Sequence, residues 1–320
     1  MKTRNQDTPS ILLTQAVGLE GRFKIQKKKV GSDELIEVAP WQDNLITNYG
    51  LDQIGVRGSI SQWMYALAVG SGSTPPAITD TGLVAKVAQA ERSTASGTAV
   101  AGQTQAVPYY GWIRHTYEFA AGTAAGNLSE LGLKYYTVDN LVHTRALIKD
   151  SSGNPTTITV LADEILIVTY EVRLYVDSTD KTYNETIKGV PTVITVRPSS
   201  LINNWFNNNG QLLFSDYVWG GYWYYGGTGL GVGPVTGVPS GTMDSFSNVQ
   251  LGRPAYVAGS YTRNVVMRLT IANMAGRTIT GAKGISGAVE FQIGFSPGFA
   301  KTDAETVDLT LGVSWGRYVP

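Results

Sequence analysis

The sequence contains no cysteine and only two histidines, His115 and His143, among its 320 residues. Without thiols the chain has no disulfide framework, no thiolate zinc site and no cysteine nucleophile. Two histidines are too few for a histidine-rich metal centre, and we expect no metal and no other cofactor. Both histidines lie in strand-like segments away from any Gly-x-Ser-x-Gly motif, which favours structural roles over Ser/His/Asp catalysis.

Charge is also scarce. Charged residues make up 16% of the chain, and 25 basic residues balance 25 acidic ones. A net charge of zero argues against nucleic-acid binding through overall positive charge. No apolar run reaches the about 18 residues of a membrane-spanning helix, and the first residues lack the apolar core of a signal peptide. We therefore expect a chain without a membrane span, made in a cytoplasm.

The remaining candidates for chemistry have simpler interpretations. Gly227–Gly233 resembles a dinucleotide-binding loop, but Pro234 and Pro239 forbid the helix that must follow it. Carboxylates that could act in glycoside hydrolysis lie at the starts of predicted strands, where turn and edge roles are more common. These carboxylates are Asp163, Glu164, Asp303, Glu305 and Asp308. We predict no catalytic residues and no enzymatic activity.

Glycine (37 residues), tyrosine (17) and tryptophan (7) are plentiful, as in proteins built from strands and tight turns. Short alternating segments separated by turn residues predict an all-β fold with two β-sandwich or jelly-roll-like regions. Helices are expected only within 44–60, where Asn44 or Thr47 could cap the helix, and at 199–207. The main predicted strands are 22–30, 35–38, 63–70, 112–119, 128–136, 141–149, 156–160, 164–176, 192–197, 265–272, 287–295 and 306–315.

Composition divides the chain into three regions. Residues 1–176 are predicted to form an N-terminal β domain, within which Ser93–Ile113 is uncharged and predicted to be a loop. Residues 177–260 form a loop-rich segment with many glycines and aromatic residues. Residues 261–320 contribute C-terminal strands that complete a second sandwich.

The most distinctive local feature is an aromatic segment, residues 217–225. Six aromatic residues lie within these nine positions, and they are Tyr217, Trp219, Tyr222, Trp223, Tyr224 and Tyr225. Tyrosine and tryptophan are enriched at subunit interfaces, which makes all six interface candidates. Two alternatives stay open, namely stacking against sugar rings and packing within the chain itself.

Several motifs in residues 20–176 resemble those of structural proteins from the tails of tailed bacteriophages. They are Trp41–Asp52 (WQDNLITNYGLD), Leu67–Gly72 (LAVGSG) followed by Pro75-Pro76 and Asp80–Leu83 (DTGL), Leu128–Leu133 (LSELGL), Val142–Ile148 (VHTRALI) and Leu166–Arg173 (LIVTYEVR). The ending Val313–Arg317 (VSWGR) is similar to such proteins as well. The family is identified with virion components of the fibre, baseplate or collar kind and supplies no catalytic residues.

The resemblance implies a non-enzymatic structural component of a virion tail that assembles with other tail proteins. Self-association as a trimer or hexamer is expected, with the uncharged stretches 58–79, 93–113 and 217–243 as buried surfaces. The alternative is an adhesin of the tail that binds a glycan on the host surface. Both functions place the protein in the virion.

Overall fold

Twenty-one strands and two short helices form the part of the chain that the structure describes, which confirms the predicted all-β fold. The structure is a computed structural model and describes residues 11–57, 60–93, 100–104, 106–135, 140–199, 222–244, 249–250, 255–286 and 289–320. Helix α1 (Asn48–Arg57) lies inside the predicted segment, and α2 (Ile60–Trp63) begins at its end. The helix predicted at 199–207 falls, apart from Ser199, outside the described residues.

The strands belong to four sheets. The first eleven are β1 (Ile11–Lys29), β2 (Ile36–Asp43), β3 (Leu45–Ile46), β4 (Ala66–Gly70), β5 (Lys86–Glu91), β6 (Val100–Gln103), β7 (Tyr110–Phe119), β8 (Gly126–Leu128), β9 (Glu130–Lys134), β10 (Thr144–Leu147) and β11 (Ile158–Val160). The others are β12 (Glu164–Val176), β13 (Lys181–Ile187), β14 (Val190–Pro198), β15 (Tyr222–Tyr225), β16 (Thr242–Asp244), β17 (Val249–Gln250), β18 (Thr262–Leu269), β19 (Thr278–Ser286), β20 (Val289–Ala300) and β21 (Val307–Arg317).

The largest sheet is built around β1, a strand of 19 residues. Its order is β17-β18-β21-β1-β12-β7-β6, with β2 also paired to β1. One edge of β1 pairs antiparallel with β12, whereas the other pairs parallel with β21 and, further on, antiparallel with β2. Apolar side chains alternate along β1, so that Leu19, Phe23 and Ile25 all point into the core.

A five-stranded sheet lies beside this one, in the order β3-β10-β9-β4-β5, and β8 pairs with β11 in a small separate ribbon. All five residues of β4 are buried, as are all five of β9. This explains why Ala66–Gly70 is a continuous apolar run rather than an alternating one. Because these residues are covered by their own chain, the expected subunit contact within 58–79 does not involve them.

The third large sheet has six strands in the order β13-β14-β20-β19-β15-β16. It packs on the eight-stranded sheet through Gly284 of β19. A Cβ atom there would lie 3.1 Å from Leu311 of β21 and 3.2 Å from Met267 of β18. The two sheets share one apolar core and form a sandwich-like layer pair.

The three predicted regions do not correspond to separate sheets. Strands from 261–320 complete both the eight-stranded and the six-stranded sheet. The polar stretch after Asp177 forms β13, which pairs along its whole length with β14. Within Ser93–Ile113, predicted as a loop, the structure places β6 and the start of β7. None of the helices in the described ranges is long and apolar enough to cross a membrane.

Two buried glutamines in the sandwich differ in how their amides are bonded. Gln292 of β20 accepts from the Gly233 amide at 2.8 Å and donates to the Pro198 and Pro234 carbonyls at 3.1 and 2.7 Å. Gln15 of β1 is equally buried, yet neither polar atom of its side chain has a hydrogen-bond partner among the described residues. Its burial therefore costs free energy that no bond offsets.

We expect Gln15→Leu to raise the free energy of unfolding by about 1–2 kcal/mol, because it removes an unbonded amide from the core. Gln292→Leu is the matched control and should lower it by about 1–3 kcal/mol, since it leaves the Gly233 amide without its acceptor, whereas the Pro198 and Pro234 carbonyls keep the Thr236 and Gly237 amides. Urea denaturation of both variants measures the difference. Equal destabilisation by the two substitutions would show that the Gln15 amide is satisfied after all.

Candidate functional site

The aromatic segment is only partly within the described residues. Tyr217 and Trp219 lie outside them, whereas Tyr222–Tyr225 form β15, paired with β19 on one side and β16 on the other. Trp223 and Tyr224 are 1% and 3% exposed. Because neighbouring residues of a strand point to opposite faces, both faces of the sheet are covered here. These two side chains pack within their own chain.

Tyr222 and Tyr225 are half-buried, and a cation lies over each ring. The Lys283 Nζ atom is 4.9 Å from the Tyr222 centroid, and the Arg277 guanidinium carbon is 4.3 Å from that of Tyr225. Cation–π contacts of this kind stabilise the rings in place. Contact with another subunit stays a prediction for Tyr222 and Tyr225.

The motifs that carry the resemblance meet around one buried carboxylate. Glu130 of β9 is fully buried, and Arg145 of β10 is 2% exposed. The Arg145 Nε donates to Glu130 Oε2 at 2.9 Å, and its Nη1 donates to Asp80 Oδ2 at 2.7 Å. One guanidinium therefore compensates two carboxylates from separate segments. We call these three side chains the Arg145 network.

The Arg145 network also fastens the loop between β4 and β5. Glu130 Oε1 accepts from the amides of Gly72 and Ala85 at 3.1 and 2.8 Å, and Arg145 Nη2 donates to the Thr74 carbonyl at 2.7 Å. A Cβ at residue 72 would lie 2.4 Å from Glu130 Oε1, so only glycine fits. The Gly-x-Gly, Pro-Pro and Asp pattern is thus explained by folding.

The contacts within the Arg145 network shift the pKa values of Asp80 and Arg145. Burial works to raise the pKa of Asp80, but the Ala77 amide and the Arg145 guanidinium outweigh it, so that the pKa lies below its ordinary value. Burial likewise works against the charge of Arg145, and hydrogen bonds to Asp80 and Glu130 outweigh it and raise the pKa of the guanidinium. Each charge is retained because the others are present.

The resemblance motif Trp41–Asp52 covers the end of β2, β3 and the start of α1, and it contacts His143. Thr47 caps the helix by accepting from the Gly50 amide at 2.9 Å. A Cβ at residue 50 would lie 2.0 Å from the His143 carbonyl oxygen, which requires glycine there. The imidazole of His143 stacks on Trp63, with ring centroids 5.3 Å apart, and its Nδ1 lies 2.7 Å from the Trp63 carbonyl. The geometry gives His143 a packing role.

His115 of β7 is 3% exposed, and neither ring nitrogen has a hydrogen-bond partner among the described residues. Burial, aided by the positive charge of Arg92, lowers the pKa of His115 to about 4. The imidazole is therefore neutral in the folded chain at pH 7.

Three of the five candidate carboxylates take part in ion pairs. Glu164 pairs with Lys27 at 3.0 Å, Glu305 pairs with Lys188, and Asp308 pairs with Arg268. The side chains of Asp163 and Asp303 form no ion pair with a described residue. Within the described ranges, no group of three or more histidines, aspartates and glutamates is arranged to hold a metal ion.

The glycine-rich stretch Gly227–Gly233 forms turns. Gly229 and Gly231 have positive φ angles of 65° and 76°, and no helix follows in 234–244. This confirms the expectation that no helix follows the stretch, which a dinucleotide-binding loop would require.

A cleft of about 570 Å³ opens where β12 and β21 end beside residues 16–18 of β1, and we call it the C-terminal cleft. Its walls are Ala16–Gly18, Val107–Tyr109, Tyr175–Ser178 and Ser314–Val319. The rings of Tyr175 and Tyr318 stack 3.6 Å apart and 6° from parallel.

Residues at the end of β21 hold the wall of this cleft against α1. Trp315 Nε1 donates to the Leu51 carbonyl at 2.8 Å. Arg317 donates to the Ile46 carbonyl at 2.6 Å and to Asn48 Oδ1 at 2.7 Å. The ending Val313–Arg317, which is part of the resemblance, therefore joins the last strand to the first helix.

Comparison of the chain with protein-family models, curated proteins and solved structures finds no match. Its function must be inferred from its own residues.

The sequence alone did not predict the ion pair between Glu130 and Arg145, although both residues lie in the resembling motifs. A charged residue inside an apolar run is a signal of such a buried ion pair. The C-terminal cleft was missed entirely, because its three tyrosines, Tyr109, Tyr175 and Tyr318, are spread over 210 residues of the sequence and form no local pattern.

We expect Arg145→Met to lower the free energy of unfolding by about 3–5 kcal/mol, because Glu130 is left as a buried charge without compensation. Arg268→Met is the control, since its partner Asp308 is partly exposed, and it should cost no more than about 1 kcal/mol. Chemical denaturation at neutral pH compares the two. A similar loss in both variants would refute the central place of the Arg145 network.

The pKa of His115 predicts a loss of stability in mild acid. The unfolded chain takes up a proton near the ordinary value of 6.5, whereas the folded chain resists it down to about 4. Stability is therefore complete above 6.5 and falls as the pH drops from 6.5 towards 4, by about 3 kcal/mol in total.

His115→Leu removes this titration and should flatten the fall. The carboxylates with lowered pKa values, such as Asp80 and Glu305, lose their stabilising effect only at lower pH, below their ordinary values. Denaturation midpoints between about pH 7 and pH 4.5 measure the slope for both proteins. Identical slopes would contradict the assignment.

Proposed function

We propose that the chain is a non-enzymatic structural component of a bacteriophage tail, of the fibre, baseplate or collar kind, that assembles with itself and with other tail proteins. The resembling motifs support this because their polar side chains form hydrogen bonds and ion pairs within the chain. They form the Arg145 network, the start of α1 and the end of β21. A structural protein depends on a rigid fold of this kind and does not depend on a reactive group.

The observation that carries the proposal is an apolar patch at the tip of the β1–β2 hairpin. Val30, Leu35, Ile36 and Leu161 are between 46% and 61% exposed. The Val30 amide donates to the Asp163 carbonyl at 3.0 Å, which places the turn containing Leu161 beside the hairpin. Single exposed apolar residues are normal, whereas a group of them marks a contact surface.

Lysines and carboxylates surround this hairpin-tip patch. Lys28 and Lys29 precede it on β1, and Asp33 and Glu34 lie in the turn that it spans. An apolar centre with a charged rim is the usual composition of a protein–protein interface. The patch supports assembly with a second protein chain better than contact with a sugar, because it has no aromatic ring.

We expect the purified chain to have a solution mass three or six times 34.4 kDa. The double variant Leu35→Asp, Ile36→Asp should shift it towards the monomer, because burying two carboxylates in an apolar contact is costly. Val190→Asp with Val257→Asp is the control, since these residues are just as exposed but lie away from the patch and from the three uncharged stretches. Light scattering over a range of concentrations measures the masses.

An antibody against the chain should also label the tails of the phage particles that contain it in electron micrographs. Labelling of tails by the antibody, together with self-association that depends on the hairpin-tip patch, is the expected result. A chain that stays monomeric at every concentration and is absent from virions would overturn the proposal.

A further inference from the structure

We propose that the C-terminal cleft binds a neutral saccharide ring. This inference does not rest on the proposed assembly role, because the cleft and the hairpin-tip patch are built from different residues. The supporting observations are the size of the cleft, its tyrosines, its hydrogen-bonding groups and its charge.

The size and lining of the cleft suit a small ligand. A volume of about 570 Å³ lies inside the range of about 300–1,000 Å³ typical of small-molecule sites. The lining includes Gly316, and a Cβ atom at that position would meet no atom within 4 Å. Gly316 combines open space with an ordinary backbone conformation, whereas every other open glycine in the described part of the chain has a positive φ.

Two tyrosines offer rings together with free hydroxyl groups. Tyr318 is held by its stack on Tyr175, whose own hydroxyl donates to Glu20 at 2.5 Å. Tyr109 is half-buried and is also part of the lining. The hydroxyls of Tyr109 and Tyr318 make no hydrogen bond with a described residue. A fixed aromatic face beside a free hydroxyl suits a pyranose, which has apolar C–H faces and polar edges.

The polar groups of the lining suit a ligand that donates hydrogen bonds. Asp177 is an exposed residue of the lining, and its carboxylate only accepts; one oxygen binds the Thr179 amide at 2.9 Å and the other has no described partner. Ser178 adds a hydroxyl beside it. Saccharide hydroxyls can donate to both. A proline-rich peptide, the other usual ligand of tyrosine-lined grooves, has no N–H at its prolines to donate to Asp177.

The lining carries little free charge. Its charged residues are Asp177 and Arg317, and the Arg317 guanidinium is turned to the Ile46 carbonyl and to Asn48 Oδ1, neither of which lines the cleft. An acidic ligand would be repelled by Asp177, and a cationic ligand would find one exposed carboxylate, which is a weak partner in water. A neutral ring with hydroxyl groups needs no charged partner.

The test uses the full chain and a set of neutral methyl glycosides, namely the glucoside, galactoside, mannoside and N-acetylglucosaminide. Saturation-transfer NMR should detect binding of at least one of them, with a dissociation constant of about 1 mM or below. Gly316→Leu fills the cleft without a backbone clash and should weaken binding at least about tenfold. Tyr109→Phe with Tyr318→Phe should weaken it as well, because only the hydroxyls are lost.

Tyr222→Phe is the matched control, because Tyr222 is a half-buried tyrosine in a different sheet, and it should bind as the unchanged chain does. Thermal unfolding confirms that each variant is folded. Binding of none of the glycosides overturns the proposal, as does binding that Gly316→Leu leaves intact. Binding of a proline-rich peptide with no saccharide binding overturns it in favour of a peptide site. Self-association is measured separately, so its failure leaves this result unaffected.

Discussion

The buried carboxylate of Glu130 sets the main constraint on this fold. A carboxylate without contact with water is tolerated only when a cation and hydrogen-bond donors surround it. Arg145 supplies the cation, and the amides of Gly72 and Ala85 supply donors. Meeting this requirement fixes the path of the loop between β4 and β5, the glycine at position 72 and the placement of Asp80. Much of the irregular structure in the first half of the chain follows from one charge.

The eight-stranded sheet has a comparable dependence on β1. Its two edges hold three partners, and the parallel partner β21 comes from the far end of the chain. The end of β21 then fastens α1 through Trp315 and Arg317. The last strand therefore does two things, since it completes the sheet and holds the helix that packs on it.

Sequence patterns predicted what depends on local alternation and missed what depends on distant contacts. β12 was predicted with its observed bounds, because nine of its thirteen residues are Ile, Leu, Val or Tyr, which is the composition of a buried strand. β13 and β6 were missed, since their polar and small residues form strands only by pairing with a neighbour. The ion pair between Arg145 and Asp80 joins residues 65 positions apart, and no spacing rule connects them. The sequence could not show whether Trp223 and Tyr224 are buried within the chain or at a subunit interface. Large aromatic side chains are favoured in both places.

The parallel pairing of β1 with β21 also determines when folding can finish. Ser314 bonds to Gln15 across 299 positions of sequence, and closing so large a loop is slow because its entropy is lost before any contact compensates it. During synthesis, one edge of β1 stays unpaired until residues 307–317 leave the ribosome. An unpaired strand edge can pair with the strands of other chains. The nascent protein therefore carries an unpaired edge of β1 until β21 has been made.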